Sequence, residues 1–195
     1  MRSLRNGNTR LDRDGDGIPC ESICKMRGSS SSSTATRQDS SPGARPRQSR
    51  PAVAAVRGPA RLISVGDGDT IRVMASHGHT VTVRLACIDA PETAQGESGS
   101  QATLHLKRMV AQGPLELRPQ TVDRYGRIVA EVIADGRNVN LDMVRAGMAY
   151  AYRRYLSGCD KSAYLGAERL AEQRQLGVWR LGSSVQKPWD FRTNR

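Results

Sequence analysis

Two short runs hold the residues whose types and spacing could do chemistry together. One is Val65-Gly66-Asp67-Gly68-Asp69-Thr70; the other is Arg84-Leu85-Ala86-Cys87-Ile88-Asp89-Ala90-Pro91-Glu92-Thr93. Folding the first against the second would gather Asp69, Asp89 and Glu92 at one mouth, with Arg84 alongside. Carboxylate oxygens suit a hard divalent cation, and a guanidinium fork suits a phosphate. A third run, Asp123-Arg124-Tyr125-Gly126-Arg127, sets two more arginines around a tyrosine. Asp67 and Asp123 are read as turn formers rather than as ligands. A separate acidic cluster lies near the N-terminus, where Asp12, Asp14 and Asp16 alternate ahead of Gly17. That is the first half of a calcium loop, but the place of its closing glutamate holds Ile23, and Glu21 is the candidate substitute. The plain alternative for this stretch is an Asp/Gly-rich leader.

The elements that must position these groups follow from periodicity. Leu62–Val65 and Thr70–Met74 read as strands joined by the Gly-Asp-Gly turn, whose glycines are expected to supply positive φ. His79 to Ile88 alternates as a third strand, with Val81, Val83, Leu85 and Cys87 on one face and Arg84 on the other. A helix is expected over 99–112, ending at Gly113-Pro114. Leu115–Arg118 and Ile128–Ile133 read as the fourth and fifth strands, on either side of the Asp123–Arg127 turn. Helices are expected over 139–146 and 162–174, before an aromatic stretch with Trp179, Trp189 and Phe191. Five strands with a helix between the third and fourth suit an α+β fold that is mainly barrel: a five-stranded OB-type Greek-key barrel with three helices.

Composition narrows the partner more than the activity. The formal net charge is +11 and the isoelectric point near 10.2, which favours an anionic partner, nucleic acid first. The first 60 residues hold 11 Lys and Arg against 5 Asp and Glu, and the remainder 19 against 14, so both parts are basic. Such a balance separates a nuclease from a passive binder no better than it separates DNA from RNA. No stretch approaches the ~20 apolar residues of a membrane helix, so no membrane partner is expected. Residues 28–59 are rich in Ser, Arg and Pro and are expected to be a disordered linker. Cys87, in an apolar strand, is expected to be a buried free thiol. His77-Gly78-His79 is read as a solvated hairpin turn.

Four blocks in register carry a family resemblance: Gly-Asp-Gly-Asp-Thr, Arg-Leu-x-x-Ile-Asp-Ala-Pro-Glu-Thr, Asp-Arg-Tyr-Gly-Arg and Asp-Gly-x-x-Val-Asn. Together they resemble the staphylococcal nuclease (thermonuclease) family over about residues 61–182. The resemblance implies that Asp69 and Asp89 ligate Ca2+ with the backbone carbonyl of Ala90, where the founding member has threonine. It implies Glu92 as general base, Arg84 and Arg127 as phosphate-binding arginines, and Arg124 and Tyr125 near the nucleotide. Tyr152 and Tyr155 fall, with Tyr150, where the family places further nucleotide contacts, and any of them could be core instead. The implied activity is that of a calcium-dependent endonuclease acting on DNA and RNA with little sequence preference and leaving 3′-phosphate ends. Single-stranded or unpaired regions are the expected substrate, and a monomer the expected state. A non-catalytic nucleic-acid-binding OB module is the alternative. Residues 11–24 similarly resemble the excalibur calcium-binding motif, without the cysteine that family carries upstream, so it reads as truncated at its front. The expected organisation is therefore 1–27 partial excalibur-like motif, 28–59 linker, 60–182 nuclease-like barrel and 183–195 C-terminal tail. Family members of this kind are usually exported, so a periplasmic or extracellular location is expected. Met1–Asn6 shows no apolar core of a leader, which leaves the cytoplasm as the alternative.

Overall fold

A computed structural model of the chain describes residues 53–111, 113–180 and 186–194. The chain divides into two units, Met1–Pro46 and Arg47–Arg195, and all described residues belong to the second. The acids Asp12, Asp14, Asp16 and Glu21 and most of the expected linker lie outside the described residues.

Five strands close on themselves. β1 (Gly58–Val65), β2 (Thr70–Ala75) and β3 (Thr80–Leu85) form an antiparallel meander, and β5 (Leu115–Val122) and β6 (Ile128–Ala134) a hairpin. β1 pairs with β5 at one side, and β3 pairs in parallel with β6 at the other, with Val83, Arg84 and Leu85 opposite Ile128, Val129 and Ala130. That parallel seam completes the barrel of the OB type. Period-2 alternation fills its interior with Ile71 and Val73, Val83 and Leu85, Leu115 and Leu117, and Ile128, Ala130 and Val132, all essentially without exposure. Bulges at Leu62/Ser64 and Pro119/Thr121 give the bending that closure requires.

Helices cover one end. α1 (Glu97–Val110) buries Ala102, Leu106 and Val110 at intervals of four, and α2 (Val139–Arg145) buries Val139, Met143 and Val144. α3 (Lys161–Gln173) begins at an Asp160 cap whose carboxylate accepts the Ala163 N–H, and it buries Tyr164, Ala167 and Ala171. β7 (Arg137–Asn138) extends the sheet beside β6. A small separate ladder pairs β4 (Ile88–Asp89) with β8 (Tyr150–Ala151).

The structure departs from the sequence-based expectations in five places. The first is the end of the expected linker, where Val53–Val56 form a short 3-10 helix with Val56 buried in the core and β1 already starts at Gly58. The third strand is not continuous to Ile88: it stops at Leu85, and Cys87 takes φ 67° before β4 starts in a new direction. The buried amide of Asn140 holds that corner, donating to the carbonyls of Ala86 and Ala130 and accepting the Val132 N–H, at 2.9–3.0 Å. Cys87 is not a free thiol, because it forms a disulfide with Cys159, 72 residues away. Gly66 and Gly68 do not adopt positive φ. Gly68 is needed for space instead, since a Cβ there would stand 2.7 Å from the Cβ atoms of both Ala90 and Ala102. Finally, a fourth helix, α4 (Pro188–Thr193), lies within the expected C-terminal tail.

Candidate active site

The Asp67–Thr70 turn delivers the first acid. Asp67 accepts the Asp69 N–H at 3.0 Å, and the Thr70 carbonyl accepts the Gly66 N–H at 2.8 Å, so the turn is tied at both ends. Asp69 is thereby set against the β3–β4 corner, where its Oδ2 accepts the Ala90 N–H at 2.8 Å. Asp89, in β4, is fully buried. Between the two acids lies Arg84, whose Nη2 stands 3.0 Å from Asp69 Oδ2 and 2.8 Å from Asp89 Oδ1. Its Nη1 donates to the Leu85 carbonyl at 2.9 Å, which fixes the plane of the fork. Burial pushes the Asp69 carboxyl up to about 7, with Asp67 and Asp89 adding to the rise and Arg84 and the Ala90 N–H opposing it.

Glu92 sits just beyond the corner. The Gln95 side chain accepts its N–H at 2.8 Å, and the Gln95 N–H returns a bond to the Glu92 carbonyl. Gly99, in the first turn of α1, lies so near that carbonyl that a Cβ there would collide with it. The position of Glu92 is therefore set by helix packing against its backbone, while the side chain remains about a third exposed.

The opposite bank comes from two turns. In the β5–β6 turn Asp123 accepts the N–H groups of Tyr125 and Arg127 at 2.9 Å and the Arg127 Nε at 2.7 Å. Burial alone would raise the Asp123 pKa, but these donors outweigh it and hold it below its ordinary value. Arg124 and Arg127 stand over the Tyr125 ring at 4.9 and 5.4 Å, and that ring is 70% exposed. Tyr152 and Tyr155 flank the turn after β8, edge to face at 4.8 Å. The disulfide ties this turn to the β3–β4 corner, and the Cys87 carbonyl accepts the Tyr152 N–H at 2.9 Å. Tyr150 is core rather than rim: it is buried, packs edge-on against Trp179 and Trp189, and burial pushes its hydroxyl up to about 12.

Asp69, Arg84, Glu92, Arg124, Tyr125, Arg127, Tyr152 and Tyr155 all line one cleft of ≈ 1660 Å³. Asp89 and Ala90 lie beneath it, buried, and reach the cleft through Arg84 and Asp69. Three residues that the sequence reading left out belong to the same site. Asn140 builds the corner, Gly99 seats Glu92, and Arg192 of α4 lies across Asp89 and Glu92. The helix that carries Arg192 was announced in the sequence by Pro188 at its first position and Asp190 in its first turn.

Among the described residues, no three His, Cys, Asp or Glu side chains are grouped so as to hold a metal ion by themselves. The donors near the Asp69–Asp89 pair are nonetheless oxygens, as a hard cation requires, and the two buried acids share the one guanidinium of Arg84. The residues fit a calcium ion in that respect.

A closed barrel with buried acids, arginines and an aromatic rim around one cleft has the charges and stacking faces that a barrel-type phosphodiester hydrolase would need. The profile of the family described as staphylococcal nuclease homologue matches residues 82–181. Similar proteins include a micrococcal nuclease of Shigella flexneri, 37% identical over 151 residues, which cover 73% of this chain and 83% of that protein. An uncharacterized endonuclease of Escherichia coli is 40% identical over 133 residues, 68% of this chain and 83% of its own length. One from Haemophilus influenzae is 36% identical over 119 residues, 61% of this chain and 65% of its own length, just under two thirds. The chain belongs to the staphylococcal nuclease homologue family and is a nuclease-type hydrolase. The excalibur calcium-binding domain profile matches residues 4–21, which contain Asp12, Asp14, Asp16 and Glu21.

Proposed function

We propose that the chain is a calcium-dependent endonuclease that hydrolyses DNA and RNA with little sequence preference and leaves 3′-phosphate ends. One observation carries the reading: Arg84 bridges Asp69 and Asp89 at the floor of a cleft whose walls hold Glu92 and Arg127. Asp69, Asp89 and the Ala90 carbonyl would hold the calcium ion, which supplies positive charge to the phosphate oxygens when bound. Glu92, seated by Gly99 and about a third exposed, accepts the proton of the attacking water. Arg84 and Arg127 meet the equatorial oxygens of the phosphorus, where negative charge grows as the nucleophile adds, and so favour the transition state over the ground state. Arg124, Tyr125, Tyr152 and Tyr155 hold the nucleotides, the rings by stacking, which suits unpaired strands better than a closed duplex.

The Cys87–Cys159 disulfide supports an exported protein, since such bonds persist in oxidising compartments. The excalibur-like acids at 12–21 would then meet calcium outside the cytosol, as a second possible site joined to a monomeric barrel domain. Cleavage of single-stranded DNA and RNA tests the main reading, with calcium and with a chelator, for the native chain, Glu92→Ala and Arg127→Ala. Cleavage that needs calcium and largely disappears in both variants, with oligonucleotide binding retained, is the expected result. Binding without cleavage under every divalent ion would leave only a nucleic-acid-binding module.

A further inference from the structure

The short helix α4 brings a cation and a flat ring into the cleft. Arg192 Nη2 donates to Asp89 Oδ2 at 2.6 Å, and its Nη1 donates to Asp89 Oδ1 at 3.1 Å and to Glu92 Oε1 at 2.6 Å. One turn earlier, the Trp189 indole lies on the Tyr152 ring with centroids 5.5 Å apart and planes within 3° of parallel. Lys187 stands over the same indole at 5.4 Å, and Gln95 Nε2 donates to the Gln186 carbonyl at 2.7 Å, so the segment is strapped down ahead of the helix as well. A positive charge on the acids and a π face on a rim tyrosine are the two things that a cation and a nucleotide would bring.

We propose that α4 is an internal competitor for this site, with Arg192 standing in for the divalent cation and Trp189 for a nucleobase, so that calcium binding opens the strap. The inference rests on the metal and nucleotide roles proposed above. Charge balance supports it. When Asp69, Asp89 and Glu92 are all ionised, as ligands of a cation must be, their three negative charges are matched by Arg84 and a dication without Arg192. On Asp89, Oδ1 serves Arg84 and Arg192 and Oδ2 serves Arg192 again, so two of the three guanidinium bonds on this acid come from Arg192 and are freed when it leaves.

The two arginines on Asp89 are also unequal in a telling way. The Arg84 side chain is 13% exposed, whereas that of Arg192 is 41% exposed on a helix of six residues. Helices so short have little stability of their own. Arg192 can therefore leave the acids while Arg84 stays. By linkage, whatever calcium does to the strap, the strap does to calcium by the same factor.

Calorimetric titration of the full chain with calcium alone tests this, comparing the native protein with Arg192→Gln, Trp189→Ala and Asp89→Asn. The N-terminal acids can give heat of their own, so the barrel event is the one that Asp89→Asn removes. The expected result is that this event tightens in Arg192→Gln by about tenfold, a usual size for coupling between sites. A smaller tightening is expected in Trp189→Ala, because the strap closes less firmly. Tryptophan emission gives a second readout: calcium should shift it in the native protein, and calcium-free Arg192→Gln should already show the shifted state. Calcium binding that is unchanged or weaker in Arg192→Gln overturns the competition while leaving the metal role intact. If Asp89→Asn removes no binding event, the metal role fails and the competition falls with it.

Discussion

The floor of the cleft and its rim hold their functional side chains by different means. On the floor, Asp69 and Asp89 are buried and are fixed by the Ala90 N–H on Asp69, by a shared guanidinium and by the strand pairing of Asp89. On the rim, Arg127 is pinned by the single carboxylate of Asp123, and Tyr125 stands in solvent beneath two arginines. The floor therefore joins its proposed chemistry to stability, because its charges are also part of the packed structure. The rim keeps them apart. A change on the floor should register in both activity and unfolding, and a change on the rim in activity alone.

Arg84→Ala is the sharpest test of that division. It leaves two buried carboxylates facing each other, and breaking a buried pair from one side costs about 3–5 kcal/mol. Loss of one preorganised donor to the reacting phosphate lowers turnover by about 10²–10³-fold. Arg127→Ala should lose a comparable share of activity with an unfolding free energy within about 1 kcal/mol of the native value, since its ion pair is partly exposed. Urea unfolding and initial cleavage rates measured on the two variants decide the matter. If Arg127→Ala unfolds as readily as Arg84→Ala, floor and rim are one cooperative structure and the comparison collapses.

Among the described residues a disulfide cross-links the two banks, joining the β3–β4 corner to the turn that carries Tyr155. Replacing both Cys87 and Cys159 by alanine should lower stability by about 2–4 kcal/mol, since a long loop is freed in the unfolded chain. Native protein kept in reductant should shift its thermal midpoint in the same direction, and the double variant should not respond to reductant at all. A reductant-sensitive midpoint in the double variant would remove the bond from the account.

Beneath the floor, Gly68→Ala forces a methyl group between Ala90 and Ala102. Overpacking of this kind costs about 1–3 kcal/mol. The added group presses on Ala90, next to Asp89, so the calcium requirement of cleavage should rise together with the loss of stability. A variant as stable as the native protein would show that α1 can move away from the turn.

The barrel and the residues gathered at the cleft were legible because both rest on local patterns. Alternating apolar residues in β2, β3, β5 and β6 reveal the strands, and the acids and arginines lie within a few residues of turns that glycine and proline mark. What the sequence hid depends on distant approach. Cys87 fits an apolar stripe by position, and only the corner held by Asn140, more than fifty residues later, turns its side chain toward Cys159. Gly68 resembles a turn glycine, yet α1 and Ala90 are what forbid a side chain there. Arg192 lies a hundred residues beyond Glu92, in a stretch whose Pro188 marked a helix start but whose docking place no local pattern records.

The smallest expected effect lies on the rim, and it bears on how one carboxylate can hold an arginine there. Asp123 sits below its ordinary pKa of 3.8 because the Arg127 fork and two main-chain N–H groups together outweigh the cost of its partial burial. A carboxylate depressed by folding adds stability that is fully present above its unfolded pKa and is lost as pH falls through the folded one. Asp123→Asn should therefore reduce stability slightly at neutral pH, and the difference from the native protein should vanish below the ordinary carboxylate range. Thermal unfolding followed from pH 7 downward checks this. Asparagine can still accept the Tyr125 and Arg127 N–H groups, so the turn should persist while the Arg127 side chain loses its charged partner. Activity should then fall more than stability at neutral pH, the signature that separates rim from floor. A variant that keeps full activity would show that substrate phosphate alone is enough to place Arg127.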